Sequence, residues 1–218
     1  MKTVREAMLL YAITDRGWLK PGETLEEQVE QVLSAGVTCL QLREKELSQE
    51  EFLALAKKIK PICAKYDVPL IINDNVAVAK EADADGVHIG QDDMTIAQAR
   101  AILGREKWIG TSVHNLEEAQ AAWEAGCDYF GSGAVFGSHT KPDVTVLTPE
   151  RLKAVCHATP LPVVAIGGIN AQNVTALAGT GIAGIAVISA LFAQPDKAAA
   201  ARQMLELAKR VTDQEEKK

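Results

Sequence analysis

Eight short β-rich apolar runs alternate with helical stretches along the chain, and no other feature restricts its fold as tightly. The runs cover Met8–Thr14, Val37–Arg43, Pro69–Asn73, Gly86–Ile89, Trp108–Ser112, Tyr129–Gly133, Pro162–Ile166 and Gly184–Ile188. The helical stretches cover Thr24–Ala35, Ser48–Tyr66, Asn75–Glu81, Thr95–Leu103, Asn115–Ala125, Pro149–Ala158, Ala171–Gly179 and Pro195–Val211. Consecutive parallel strands need a helical crossover, so strand–helix units in series call for a parallel sheet covered by helices. Thr24 stands three residues before Glu27, and Asn115 three before Glu118, each in capping-box spacing. Gly36, Gly126 and Gly181 lie where helices must end before a new strand. Closed on itself, such a sheet is an α/β fold, a single (β/α)8 TIM barrel with parallel strands, typically about 250 residues and sometimes about 200. An open doubly wound sheet is the alternative. It is disfavoured because Thr14-Asp15-Arg16-Gly17, not G-x-G-x-x-G, follows the first strand. No Pro/Gly/Ser-rich linker splits the chain, so one domain over residues 1–218 is expected, with a frayed charged tail at 213–218.

Charge and composition remove several function classes. With 23 Lys plus Arg against 29 Asp plus Glu, the net charge of -6 argues against a sequence-blind grip on nucleic acid. The longest apolar stretch, Gly181–Ala193, falls short of the roughly 18 residues needed to span a bilayer. No basic segment followed by an apolar run and a small-residue cleavage site opens the chain, so a soluble, cytoplasmic protein is expected. Cys39, Cys63, Cys127 and Cys156 are far apart, with no C-x-x-C. Three sit among apolar or small residues, which points to buried thiols rather than a zinc cluster or a disulfide framework.

In a barrel, chemistry gathers at the C-terminal ends of the strands. The second strand runs into Gln41-Leu42-Arg43-Glu44-Lys45. Alternation puts Gln41, Arg43 and Lys45 on one face and Leu42 and Glu44 on the other. Leu42 suits the layer between sheet and helices, which turns the polar trio inward; a solvated charge cluster is the other reading. The third strand ends in Asn73-Asp74-Asn75, ordinary helix-capping residues, and the fourth leads to Gln91-Asp92-Asp93. Asp74 with Asp92 or Asp93 would offer hard oxygens to Mg²⁺, which commonly takes one or two carboxylates plus substrate phosphates. Ser112 ends the fifth strand as an anion donor or a turn residue, and His114 reads as a helix-start residue. The loop Ser138-His139-Thr140-Lys141 is a lid, a phosphate clamp or a flexible connection. Gly167-Gly168 after the seventh strand and Ile188-Ser189 after the eighth occupy the usual phosphate site of this fold.

QLREK (Gln41–Lys45), ND (Asn73-Asp74), DGVHIGQDD (Asp85–Asp93), GTSVH (Gly110–His114), the Ser138–Lys141 loop, GGI (Gly167–Ile169) and GIAVISA (Gly184–Ala190) follow one another in order. This ordered set resembles the thiamin phosphate synthase (thiamine-phosphate pyrophosphorylase) family from Tyr11 to about Ala190. The resemblance implies Mg²⁺-dependent joining of 4-amino-5-hydroxymethyl-2-methylpyrimidine diphosphate to a (carboxy)thiazole phosphate, with release of pyrophosphate. It implies that Gln41, Arg43, Lys45, Asn73, Ser112 and Lys141 bind the pyrimidine diphosphate, and that Asp74 and Asp93 ligate Mg²⁺. Ser138, Thr140, Gly168, Ile188 and Ser189 would face the thiazole phosphate. Leu42 and Glu44 come with the first motif and His139 with the loop, so they too are assigned to the substrate site. One departure concerns the loop, where the family has G-P-x-F and then T-x-T-K. Here Ala134 replaces the Pro and Ser138 the first Thr, which keeps a hydroxyl but removes a restraint on φ.

The expected mechanism follows from charge. A diphosphate leaving a CH₂ on an electron-rich aminopyrimidine needs stabilisation at its oxygens, the task expected of Mg²⁺ with Arg43, Lys45 and Lys141 as catalytic groups. The thiazole nitrogen then attacks the cationic CH₂, a dissociative substitution with no protein nucleophile. Two alternatives stand beside it. A thiazole tautomerase would need a proton carrier such as His114 or His139, and a non-catalytic phosphometabolite sensor would release no pyrophosphate. Apolar helix faces are compatible with self-association into a homo-oligomer.

Overall fold

The computed structural model describes residues 2–137 and 147–213. Among these, eight parallel strands close into a barrel in chain order: β1 (Leu10–Ile13), β2 (Cys39–Leu42), β3 (Leu70–Asn73), β4 (Gly86–Ile89), β5 (Trp108–Val113), β6 (Tyr129–Gly133), β7 (Val163–Ile166) and β8 (Gly184–Val187). Closure is made by β1 pairing with β8, Tyr11 opposite Ala186. The expected (β/α)8 barrel is the fold. No helix among the described residues is long and apolar enough to cross a membrane.

The described helices are α1 (Val4–Ala7), α2 (Leu25–Ser34), α3 (Gln49–Lys65), α4 (Val76–Glu81), α5 (Ile96–Leu103), α6 (Leu116–Glu124), α7 (Pro149–Ala158), α8 (Ser189–Phe192) and α9 (Lys197–Thr212). Thr24 and Glu27 form the full capping box at α2. At α6 only half forms: Asn115 accepts the Glu118 N–H, while Glu118 reaches past it to the His114 N–H. Three features depart from the sequence reading. Ala171–Gly179 yields only a single 3-10 turn, Val174–Leu177, because Asn170 and Asn173 bend the chain by bonding its backbone. The short helix α8 follows β8 before the last long helix begins. A four-residue helix, α1, precedes the first strand under its own Thr3–Glu6 capping box.

Strand alternation sorts side chains into two cores. Leu10, Leu40, Leu42, Ile72, Val87, Ile109, Phe130 and Ile185 face the helices and are fully buried, each contributing about 2 kcal/mol relative to exposure. Tyr11, Cys39, Ile71, Tyr129, Val164 and Ala186 fill the interior. Ala7 and Met8 join this inner cluster with Ala183, so α1 closes its N-terminal end. Cys39, Cys63 and Cys127 are buried and Cys156 is partly buried, none of them in a disulfide. Burial pushes Cys63 and Cys127 up to about 12, so they pack as small apolar groups.

The interior rings are accommodated by glycine. A Cβ on Gly110 would fall inside the Tyr129 ring. Gly110→Ala is therefore expected to destabilise the fold by about 3 kcal/mol through overpacking. Thermal unfolding would show this as a Tm lowered by roughly 10 °C. An unchanged melting curve would mean that the ring has room to move.

Candidate active site

The inward positions of β2 to β5 continue from core into rim. On β2, Cys39 and Gln41 lead to Arg43; on β3, Ile71 leads to Asn73; His88 and Ser112 hold the same face of β4 and β5. The end of β2 is fixed by Thr14, which is fully buried. Its N–H donates to the Gln41 carbonyl at 3.0 Å, and its Oγ1 accepts the Arg43 N–H at 2.9 Å.

Above this floor, three loops bring charges together. Lys45 Nζ donates to Asp74 Oδ2 at 2.6 Å. Asp93 and Asn73 stand close enough to the Asp74 carboxyl to influence its titration, and the Asp74 N–H donates to the His88 carbonyl at 2.8 Å. Asp74 sits at φ 61, a left-handed conformation that Asp tolerates at a cost of about 1 kcal/mol. It turns its carboxylate toward Lys45 instead of capping the next helix, which Asn75 does. Asp93 Oδ2 accepts the Gly90 N–H at 2.7 Å, which folds the loop after β4 back over the strand end. Asp92 takes no part in this pair.

The electrostatics are unbalanced. Burial alone would raise the Asp74 carboxyl, but the hydrogen bond and charge of Lys45 outweigh it and hold the group below the usual carboxylate range. Asp93 moves the other way: burial raises it, the Gly90 N–H lowers it, and the hydrogen bond and charge of Asp74 keep it raised. Lys45 bonds Asp74 and acts on Asp93 only through its charge, which leaves a donor set of hard oxygens one positive charge short. Among the described residues no group of three or more His, Cys, Asp or Glu is placed to hold a metal. Two carboxylates leaving room for phosphate oxygens and water suit Mg²⁺ rather than a closed protein cage.

Not every residue of the QLREK segment joins the rim. Leu42 is fully buried in the helix-side core, so its side chain is unavailable to a ligand. The Glu44 carboxylate is taken by Arg16 through two hydrogen bonds of 3.1 Å and is almost entirely buried. Both stand on the outward alternation, and only their backbone is left for substrate. Ser112 meets His88 Nε2 at 3.2 Å, and its carbonyl accepts from Gln91 at 2.5 Å. His114 binds Glu118 through its N–H and its ring Nδ1, both at 2.8 Å, which makes it a helix-start residue and occupies the ring nitrogen nearest the chain.

On the opposite arc of the mouth, β7 and β8 leave side by side, Ile166 opposite Ala186. Gly168 has φ 65, and a Cβ there would run into the Gly137 carbonyl, so only glycine fits. Its carbonyl accepts from the side-chain amides of Asn170 and Asn173. Ile188 caps α8, and Ser189 opens that helix exposed at the rim. The segment Ala134–Gly137 is tied to β7: Val135 and Phe136 donate to the carbonyls of Ile166 and Gly167, and the Ala134 carbonyl accepts from Leu147. The expected loosening without proline is thus offset in this stretch. Ser138, His139, Thr140 and Lys141 lie outside the described residues.

Sequence reasoning missed Thr14, which reads as an ordinary strand residue, and the interior polar residues Tyr11, Tyr129 and His88. The one available signal for the latter was small: Gly110 and Gly131 stand at inward positions, where they leave space for rings.

Residues 10–191 match the family profile described as thiamine monophosphate synthase. The chain is 45% identical to the thiamine-phosphate synthase of Ruminiclostridium cellulolyticum over 198 residues, 91% of this chain and 94% of that one. It is 43% identical to that of Clostridium acetobutylicum over 201 residues, 92% and 95% of the two chains. A solved thiamine phosphate pyrophosphorylase from Pyrococcus furiosus superposes with a TM-score of 0.88 at 36% identity, covering 96% of this chain and 99% of that one.

Proposed function

The chain belongs to the thiamine monophosphate synthase family and is a transferase of that kind, and from this premise we propose the reaction, the cation and the residues. The substrates are 4-amino-5-hydroxymethyl-2-methylpyrimidine diphosphate and a (carboxy)thiazole phosphate, and the products are thiamin phosphate and pyrophosphate. The observation that carries this reading is the convergence of Lys45, Asp74 and Asp93 from three separate loops onto one patch.

Asp74 and Asp93 would hold Mg²⁺, which when bound supplies positive charge against the oxygens of the leaving diphosphate. Arg43 binds that diphosphate through its planar fork and Lys45 through a point charge. Lys141 adds a third cation from the loop after β6. Asn73 orients Asp74 and reaches the same ligand. Gln41, on the inner wall, holds the pyrimidine, and Ser112 donates to a diphosphate oxygen. Across the mouth, Gly168, Ile188 and Ser189 hold the thiazole phosphate, and the hydroxyls of Ser138 and Thr140 are assigned to the same group. Two anchors fix the thiazole nitrogen against the CH₂, which lowers the entropic part of the barrier. The C–O bond to the diphosphate breaks ahead of C–N bond formation, and the thiazole nitrogen supplies the new electron pair. No side chain needs to act as a nucleophile.

Incubation with both phosphorylated substrates should release pyrophosphate and thiamin phosphate in equal amounts, and only with Mg²⁺. Pyrophosphate release without thiamin phosphate, or turnover indifferent to the metal, would contradict the reading.

A further inference from the structure

Beneath the charged rim, five polar side chains from five strands form one unbroken line across the barrel. Gln41 Nε2 donates to the Tyr11 hydroxyl at 2.8 Å, Tyr11 and Tyr129 join hydroxyl to hydroxyl at 2.9 Å, Tyr129 meets His88 Nδ1 at 3.2 Å, and His88 Nε2 meets Ser112 Oγ at 3.2 Å. Counting protons gives this line a direction. The Gln41 amide nitrogen is a donor only, and the one direction that gives both phenolic hydrogens an acceptor within the line has Tyr11 donating to Tyr129. Tyr129 must then donate onward, which makes His88 Nδ1 an acceptor and places the ring proton on Nε2. That proton goes to the Ser112 oxygen and leaves the Ser112 hydroxyl hydrogen uncommitted within the line.

We propose that Tyr129 and His88 are positioning residues that make Ser112 a one-way donor to an anionic oxygen of the bound diphosphate. The proposal rests on the reading of Ser112 as a diphosphate contact. Burial, chiefly, pushes both phenols well above their ordinary value, so neither loses the proton the line requires. The rings are also seated: Tyr129 lies against Gly110, the His88 ring against Gly131, and the two ring centroids are 5.5 Å apart. A ring held in this way cannot flip to present the opposite tautomer without disturbing its neighbours.

The test uses the unmodified full chain first. With ¹⁵N-labelled histidine, NMR should show one neutral ring protonated at Nε2, absent from the spectrum of His88→Gln. In Tyr129→Phe the same ring should lose its single tautomer. Calorimetry with inorganic pyrophosphate and Mg²⁺ should show Tyr129→Phe and Ser112→Ala each binding about tenfold more weakly, the size of one hydrogen bond to a charged group. The double variant should bind no more weakly than Ser112→Ala alone. Nδ1 protonation of the one ring whose signal His88→Gln removes would overturn the proposal. So would an equal loss from Tyr129→Phe with and without Ser112, which is what a purely structural tyrosine gives. If the tautomer is as stated but Ser112→Ala binds pyrophosphate normally, the assignment of Ser112 as a diphosphate contact fails, and the proposal fails with it.

Discussion

Arg43→Ala is expected to lower the single-turnover rate about a thousandfold while leaving the fold intact. The magnitude is that of removing one preorganised group that meets charge developing in the transition state. Arg43 is the residue to choose because its charge is uncommitted. Among the described residues it makes no ion pair, whereas Lys45 is held by Asp74 and Arg16 by Glu44. A partly buried guanidinium at the rim without a carboxylate is arranged for an anionic ligand. The substitution is also a clean one, since Thr14 fixes the end of β2 through the Arg43 backbone and alanine keeps that contact. Arg43→Lys retains charge but loses the planar fork, so its rate should fall between the two, about tenfold below the unmodified enzyme. Lys141→Ala, in the segment outside the described residues, should produce a loss of the same order as Arg43→Ala. Rapid quench with both substrates saturating separates the chemical step from binding. Near-normal rates in Arg43→Ala and Lys141→Ala would remove the leaving-group argument.

How far such expectations can be read from sequence depends on how local the physics is. The strands were legible because each is a short apolar run closed by polar or glycine residues, and Thr24 with Glu27 marks a helix start within four residues. Ser189–Phe192 was hidden for the opposite reason. Its apolar residues continue those of β8, and an unbroken run does not show where strand becomes helix. The pairing of Lys45 with Asp74 joins residues 29 apart, which only barrel closure makes neighbours. Strand alternation correctly separated Gln41 and Arg43 from Leu42 and Glu44, yet the motif as a whole suggested that all five face substrate. The burial of Leu42 and the Arg16–Glu44 pair show that alternation was the better guide. The interior line from Gln41 to Ser112 was invisible because Tyr11 and Tyr129 read as ordinary strand aromatics. Their hydroxyls acquire a role only when five strands are brought around one axis.

Metal removal is expected to abolish turnover, and the two carboxylates should fail in different ways when replaced. In Asp93→Ala the remaining pair, Asp74 with Lys45, is electrically neutral and retains its 2.6 Å contact. The deficit of positive charge that favours a cation is then gone, so the Mg²⁺ concentration giving half-maximal rate should rise at least tenfold. Diphosphate oxygens still supply ligands, so high Mg²⁺ should recover much of the rate. Asp74→Ala removes more. It takes away the proposed metal ligand and frees Lys45 from its 2.6 Å contact. Added Mg²⁺ replaces only the first of these losses, so this variant should stay about a hundredfold slow at any metal concentration. Measuring rate against Mg²⁺ for both variants, with Mn²⁺ binding followed by electron paramagnetic resonance in the absence of substrate, tests the contrast directly. Equal rescue of the two by metal would mean that Asp74 does no more than ligate it. An unchanged Mg²⁺ requirement in Asp93→Ala would place the cation elsewhere on the rim, because an ion between these loops cannot lose half its protein charge without weakening.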